Sequence, residues 1–272
     1  MKYDYGTINK TLFVISLILS IFIIIIIIFY CFEMNTSVQK YLPGVQSNVN
    51  KMERDYHNLV NKNPQIENKN GVIVVNNFLN NDFFNSIKHQ FDGKEYSSRN
   101  FIFRKAAGIN FFKLHQEGHE GLLEVYYSNK VLSKLSDIIG KPIQRISLAD
   151  PNACSLLMYT NKGDHIDWHI DYSSYYGDRY VVLLTLVNEN ETKTGLSNNT
   201  FEYIYKGKKY KLKMQENSLI IFKGSEIFHQ STSVNQNERR ILLSMVYCDI
   251  CQEKKNVFNQ IYEKTKNFIV YN

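Results

Sequence analysis

The chain has 272 residues, a formal net charge of +6 and four cysteines, and it contains no internal repeat. Its positive charge is spread through lysines that alternate with tyrosine and leucine, a pattern typical of the solvated face of a strand, so the charge argues against a nucleic-acid-binding protein. The clearest run of this kind contains Lys206, Lys208, Lys209, Lys211 and Lys213.

An apolar run without a charged residue extends from Leu12 to Phe32. At about 1.5 Å per helical residue, it would span roughly the 30 Å hydrocarbon core of a bilayer. A cleavable signal peptide would have a shorter apolar region followed by small residues, and the run at Cys31 offers no such site. The sequence therefore predicts a short cytoplasmic tail at residues 1–11 and a transmembrane signal-anchor helix at residues 12–32, in contact with the lipid bilayer.

The charges beside this run predict its orientation. Lys2 and Lys10 precede it, whereas Glu33 and then only Lys40 follow within range. Because positive flanks tend to stay in the cytoplasm, the N-terminus should be cytoplasmic. We therefore expect a single-pass membrane protein whose C-terminal domain is luminal or extracytoplasmic.

Residues 33–70 are polar and rich in asparagine. Such a composition favours a stem that is partly helical around Val49 to Val60 and otherwise flexible. The composition changes at Gly71, and residues 71–272 suffice for one domain with a sizeable core.

Within this domain the pattern begins with a strand at Val72–Val75 and a helix at Asn80–Phe91, for which Asn80 or Asn81 provides the N-cap. A second amphipathic helix ends near Gly140, with Leu132, Leu135, Ile138 and Ile139 on its apolar face. From Ala153 onward, short apolar runs alternate with turn signals. The sequence therefore predicts a mainly β domain with supporting helices, a double-stranded β-helix (jelly roll) with its core at residues 153–250.

The same region contains two His-x-Asp pairs, His165 with Asp167 and His169 with Asp171. Residues two apart on a strand share a face, so either pair can grip one metal ion from a single β-element. His229 is the only histidine that follows them and is the candidate third ligand. Two histidines and one carboxylate on one face of an octahedral Fe(II) leave adjacent positions open. Spacing alone does not choose between the two pairs.

In the order of these motifs, roughly residues 71 to 250 resemble the 2-oxoglutarate and Fe(II)-dependent dioxygenases of the prolyl 4-hydroxylase-like superfamily. In that family a strand tyrosine lies ten residues before the first ligand histidine, with a glycine between them, and Tyr159, Gly163 and His169 fit this pattern. The resemblance thus implies that His169, Asp171 and His229 bind the metal and form the catalytic centre. It implies that Tyr159 contacts 2-oxoglutarate.

The resemblance also implies a basic anchor for the far carboxylate of 2-oxoglutarate in the final strand, where Arg239 and Arg240 are adjacent. An arginine suits this role because its planar fork makes two parallel hydrogen bonds to a carboxylate. Neighbouring strand residues face opposite sides. We favour Arg240, which shares a face with the small Ser244, and Arg239 is the alternative. The implied cofactors are Fe(II), 2-oxoglutarate as cosubstrate and O2, with ascorbate as a candidate reductant.

The implied activity is hydroxylation of a protein side chain, prolyl or lysyl, coupled to conversion of 2-oxoglutarate into succinate and CO2. A protein or peptide substrate is therefore the expected partner. The alternatives are a hydroxylase of a small molecule and a non-catalytic jelly-roll binding module. A zinc hydrolase could use the same three ligands, but it would have no use for the arginine.

The cysteine pair Cys248 and Cys251 admits several interpretations: a zinc half-site, a redox pair, or a disulfide. No second Cys or His pair at zinc spacing accompanies it. An incidental or structural pair is therefore the first expectation.

Overall fold

The computed structural model describes residues 5–254, apart from residues 57, 102, 118 and 120. The described helices are α1 (Tyr5–Asp55), α2 (Asn81–Lys88), α3 (Phe111–Glu117), α4 (Leu122–Tyr127) and α5 (Asn129–Ile139). The described strands are β1 (Gln65–Lys69), β2 (Val72–Asn76), β3 (Arg99–Phe101), β4 (Arg104–Ile109), β5 (Gln144–Arg145), β6 (Cys154–Tyr159), β7 (His165–His169), β8 (Arg179–Glu189), β9 (Phe201–Tyr205), β10 (Lys208–Leu212), β11 (Leu219–Lys223), β12 (Phe228–Ser231) and β13 (Arg239–Cys248).

The strands form one curled antiparallel sheet with two halves. The order β1-β2-β11-β8-β13-β6 makes up the larger half, and β7-β12-β9-β10 makes up the smaller half. Strand β4 joins them, because its C-terminal residues pair with β6 and its N-terminal residues pair with β7. This architecture is mainly β and consistent with the predicted jelly roll.

The central strand β8 is buried on both faces, which explains why its sequence is almost continuously apolar. Successive side chains on a strand point to opposite sides. Val182 and Leu184 accordingly join the core under the helices, whereas Val181 and Leu183 pack inside the curled sheet with residues such as Phe201. The large sheet half therefore separates a helix-covered core from a barrel-like interior.

The two predicted amphipathic helices of the domain are present. In α2, the side chain of Asn80 accepts hydrogen bonds from the backbone N–H groups of Asp82 and Phe83, as an N-cap does. A 3₁₀ turn at His89–Phe91 continues this helix. In α5, Gly140 ends the helix at φ 82°, a left-handed conformation that glycine adopts without steric cost.

Helix α1 corrects the prediction for residues 12–32. The apolar run is part of a continuous helix from Tyr5 to Asp55. The later turns of this helix contact α3 and α4, and they contribute buried Val38, Val49 and Met52 to the main hydrophobic core. The described apolar side chains between Leu12 and Phe29 are exposed. Along the described part of the chain, no stretch of helix combines the length and apolarity needed to cross a bilayer.

The predicted transmembrane helix at residues 12–32 is therefore wrong, and so is the single-pass membrane localisation that depended on it. The contact with a lipid bilayer has no support either. The prediction rested on the hydropathy of one segment, whereas the structure shows a helix that continues into turns packed on the domain.

The region predicted as a stem lies partly in α1 and partly in the sheet. Strand β1 pairs with β2 along its whole length, from Gln65 opposite Asn76 to Lys69 opposite Val72. The domain boundary at residue 71 stays a prediction.

Candidate metal centre

His169, Asp171 and His229 come together at one end of the smaller sheet half. Strands β7 and β12 are neighbours, and His169 lies directly opposite His229. One ligand atom from each of the three residues lies within 4.8 Å of the others. The Nε2 atoms of His169 and His229 are 3.7 and 3.8 Å from the two carboxylate oxygens of Asp171. The three groups therefore converge as the ligands of one ion would.

Backbone carbonyls orient both imidazoles. The Nδ1 atom of His169 is 2.7 Å from the carbonyl oxygen of Asp167, and that of His229 is 3.0 Å from the carbonyl oxygen of Ile227. When each Nδ1–H donates to its carbonyl, each Nε2 keeps a lone pair that can bind a metal. This is the tautomer that a metal needs.

Burial keeps the His229 ring neutral. It packs against Phe201 and Phe222, with ring centroids 5.3 and 4.7 Å away. Desolvation lowers the pKa of His229 to about 4, although the Asp171 carboxylate favours the charged ring. A metal ligand must be deprotonated at nitrogen, so this environment prepares His229 for coordination at neutral pH.

The backbone of Gly224 fixes the position of Asp171. The backbone N–H of Asp171 donates to the carbonyl oxygen of Gly224, and the Gly224 N–H donates to the carbonyl oxygen of Arg179. A Cβ at position 224 would lie 2.9 Å from the Cβ and the carbonyl oxygen of Asp171. Only glycine fits here without shifting this carboxylate.

The alternative pair lies apart from this group. His165 Nε2 is 3.5 Å from Asp167 Oδ1, and the Asp167 side chain is about half exposed. No third ligand joins them among the described residues. The structure thus brings His169 and Asp171, and not the earlier pair, next to His229.

Arg240 is fully buried inside the curled sheet, opposite the buried Tyr159 in the pairing of β13 with β6. Its Nη1 donates to Ser231 Oγ at 2.8 Å and to Asn199 Oδ1, both neutral groups. Its Nε has no hydrogen-bond partner, and no described carboxylate lies within ion-pair distance of it. Burial lowers the pKa of Arg240 to about 10, so the guanidinium keeps its charge at neutral pH.

Arg239 faces the other way. Its Nη1 is 3.7 Å from Glu189 Oε2, and its Nη2 donates to the carbonyl oxygen of Phe91 at 2.7 Å. A side chain with a carboxylate and a carbonyl as partners has its charge largely balanced. Of the two adjacent arginines, Arg240 is therefore the one whose positive charge a bound anion would balance.

Sequence reasoning missed the residues that support these groups. Asn199 and Ser231 hold Arg240, but a polar residue in or near a strand gives no sign of which face is buried. Gly224 follows the apolar run of β11, and a glycine at a strand end is ordinarily assigned to a turn. Arg179 is buried beside the site, with its Nη1 donating to the carbonyl oxygen of Tyr172 at 2.6 Å.

No family model and no curated protein sequence matches the chain. Among solved structures, it is similar to SnoN, a non-haem α-ketoglutarate-dependent epimerase of nogalamycin biosynthesis, with a TM-score of 0.50 and 10% identity over 75% of this chain and 83% of that chain. An oxidoreductase of the 2OG-Fe(II) oxygenase family from Burkholderia pseudomallei has a TM-score of 0.49 and 11% identity, covering 78% and 94% of the two chains. A prolyl-4-hydroxylase from Pseudomonas putida has a TM-score of 0.44 and 11% identity, covering 69% and 95%. The likeness to SnoN shows that the two chains share a fold.

Proposed function

We propose that the chain is an Fe(II)- and 2-oxoglutarate-dependent dioxygenase that hydroxylates a prolyl or lysyl side chain of a protein. The observation that carries the proposal is Arg240, a buried cation with only neutral partners among the described residues, on the strand next to Tyr159. Burying an uncompensated charge is costly, so such a group persists where a bound anion balances it. A metal site alone would not require it.

The ligand set fits Fe(II). Two imidazole nitrogens and one carboxylate supply three ligands on one side of the ion, and the remaining positions stay open for small ligands. His169, Asp171 and His229 would hold the metal. The side chain of Asp171 is about a quarter exposed, whereas that of His229 is almost completely buried. The ligand set thus has a buried side at His229 and an open side at Asp171.

Arg240 and Tyr159 are the residues that would hold the keto acid. The guanidinium would bind the carboxylate far from the metal through a planar fork, and Tyr159 would contact the same cosubstrate. Bound together, Fe(II) and 2-oxoglutarate would activate O2 through oxidative decarboxylation to succinate and CO2, with one oxygen atom transferred to the substrate. The protein would orient these groups and exclude water from the Arg240 end.

A bulky substrate suits the open side. Beside the ligands, Ile170 is 50% exposed, Tyr172 is 52% exposed and Phe228 is 38% exposed. Apolar and aromatic side chains at a surface are typical of sites that bind a protein segment. We therefore favour a peptide segment over a small molecule as substrate.

The activity test uses the full chain with Fe(II), ascorbate and 2-oxoglutarate, and measures succinate. Turnover without substrate is expected to be slow but to depend on the ligands. His229→Ala should abolish it. If wild type and His229→Ala release equal amounts of succinate, or if neither binds Fe(II) or 2-oxoglutarate, the proposal is wrong and a non-catalytic binding module becomes the better interpretation.

Two further measurements resolve the details. Fe(II) binding should be lost in His169→Ala and retained in His165→Ala, and the reverse result would move the metal to the other His-x-Asp pair. The substrate class follows from mass spectrometry of proline-containing and lysine-containing peptides, in which the product gains one oxygen atom. Hydroxylation of neither peptide, together with active succinate formation, would point to a small molecule.

A further inference from the structure

A disulfide closes a short turn directly after the final strand. It joins Cys248, the last residue of β13, to Cys251, with their Cα atoms 5.3 Å apart. Cys248 is fully buried, whereas Cys251 is partly exposed and its neighbour Ile250 is 57% exposed. An external thiol can therefore approach the disulfide at the Cys251 sulfur.

The turn and the residues after it lie along the loop that follows Asp171. Backbone hydrogen bonds join the two segments: Gly177 N to Ile250 O at 3.1 Å, Tyr176 N to Gln252 O at 3.0 Å and Lys254 N to Ser174 O at 2.8 Å. The loop from residue 172 to residue 178 thus has residues 250–254 as a paired neighbour.

Asp249, inside the disulfide-closed turn, adds a side-chain contact to this loop. Its Oδ1 accepts a hydrogen bond from the Asp178 backbone N–H at 2.8 Å, and its Oδ2 forms an ion pair with Lys141. Gly177 fits closely against it, because a Cβ there would lie 2.1 Å from Asp249 Oδ1 and 2.5 Å from the backbone nitrogen of Ile250. A change in the shape of the turn would therefore displace the loop.

The loop in turn carries a metal ligand at its beginning. Asp171 and Arg179 mark its two ends, and both are joined to Gly224 by backbone hydrogen bonds. Arg179 also donates to the carbonyl oxygen of Tyr172, within the loop. Hydrogen bonds therefore connect the disulfide-closed turn to the loop, and the loop begins directly after Asp171.

We propose that Cys248 and Cys251 form a thiol–disulfide exchange site at which a dithiol reductant weakens metal binding by loosening the loop after Asp171. The inference rests on the proposed metal site. One thiolate of the reductant attacks Cys251 Sγ, a mixed disulfide forms, and the Cys248–Cys251 bond breaks. Cys248 leaves as a thiolate and takes up a proton.

The second thiolate of the reductant then attacks the reductant's other sulfur, which is bonded to Cys251 in the mixed disulfide. Cys251 leaves as a thiolate and takes up a proton to become a thiol. Two electrons and two protons pass to the protein, and the reductant ends as a disulfide. Displacement of the loop after Asp171 changes the orientation of the Asp171 carboxylate. The metal site is then less well preorganised.

The test measures Mn(II) binding by the full chain in both redox states. The protein is reduced with dithiothreitol, freed of it under nitrogen, and titrated beside the oxidised sample. Reduction should expose two additional thiols and weaken Mn(II) binding about tenfold, the smaller end of the effect of losing a group that supports a ligand. Titration at a series of dithiol/disulfide ratios should give the same midpoint for thiol count and for Mn(II) affinity.

The Cys248→Ser/Cys251→Ser variant should bind Mn(II) weakly, and its Mn(II) affinity should be the same with and without treatment by the reductant. Cys154→Ala, which removes a buried free cysteine, should respond as the wild type does. Asp249→Ala keeps both cysteines but removes the contact to the loop, so it should bind Mn(II) weakly even when oxidised. This variant tests the coupling if the double serine variant fails to fold.

Equal Mn(II) affinity of the oxidised and reduced wild type overturns the switch and leaves the proposed function intact. A dithiol response that persists in the double serine variant also overturns it. If reduction abolishes the far-UV circular dichroism of the domain, the disulfide is a structural crosslink and not a switch. If the oxidised wild type binds Mn(II) no better than His229→Ala, the metal site itself is wrong.

Discussion

Replacement of Arg240 by methionine separates ligand binding from stability. Methionine fills a similar volume without charge, so the variant removes the guanidinium from its buried position. A hydrogen bond to a charged group contributes about 1.5–3 kcal/mol, so losing a two-point contact to a carboxylate should cost roughly 3 kcal/mol after solvation is allowed for. That corresponds to about 100-fold weaker 2-oxoglutarate binding.

The unfolding free energy of the same variant should change little. The protein loses the hydrogen bonds from Arg240 to Ser231 and Asn199, but Ser231 Oγ still donates to Asn199 Oδ1 at 3.2 Å. Removal of a desolvated charge offsets the loss, so we expect a change within about 2 kcal/mol. The assays are calorimetric titration of 2-oxoglutarate into the Mn(II)-loaded protein and urea unfolding of the metal-free protein.

Two variants complete the comparison. Arg240→Lys keeps the charge but loses the fork, so its affinity should fall between those of the wild type and the methionine variant. Arg239→Met removes a partly buried side chain that pairs with Glu189, and it should bind 2-oxoglutarate nearly as the wild type does. If Arg240→Met retains wild-type affinity while Arg239→Met loses it, the anchor is the other arginine and the reasoning from burial fails.

Three further predictions concern stability and metal binding. The pKa of His229 lies near 4 in the folded protein and near 6.5 in the unfolded chain. Between these pH values the unfolded chain therefore binds more protons than the folded protein. The metal-free protein should consequently lose about 2 kcal/mol of stability from this residue as the pH falls from 7.5 to 5. Urea unfolding should show this loss reduced in His229→Gln, and an unchanged pH dependence would contradict it. Gly224→Ala should displace Asp171 and weaken Mn(II) binding about tenfold by titration, whereas Gly44→Ala, where a Cβ meets nothing within 4 Å, should have no effect; equal affinities of the two variants would refute the close-packing argument. Asn80→Ala should destabilise the domain by about 1 kcal/mol through loss of the α2 N-cap, and an unchanged midpoint of urea unfolding would show that the cap contributes nothing.

Local patterns in the sequence determined much of the fold. The period of a strand explains why the residues of β8 divide between two cores, and the capping residues Asn80 and Gly140 mark the ends of their helices. These features depend only on backbone geometry and on neighbours within a few residues, so a sequence is enough to predict them. The His-x-Asp spacing is local in the same sense.

The choice among equivalent local patterns required the tertiary structure. His165 with Asp167 and His169 with Asp171 are alike in spacing, and only the pairing of β7 with β12 places the second pair next to His229. The apolar run at residues 12–32 led to the wrong prediction of a transmembrane helix. Its hydropathy does not reveal that the helix continues to Asp55 and packs on the domain.

Arg239 and Arg240 show the same division most clearly. Their adjacency on a strand follows from the sequence and means that they face opposite sides. Which side is the barrel interior depends on how β13 pairs with β6 and β8 and on the curl of the whole sheet. The sequence by itself determined that one of the two arginines points inward; only the tertiary structure decided that it is Arg240, because burial is a property of the distant strands that surround a side chain.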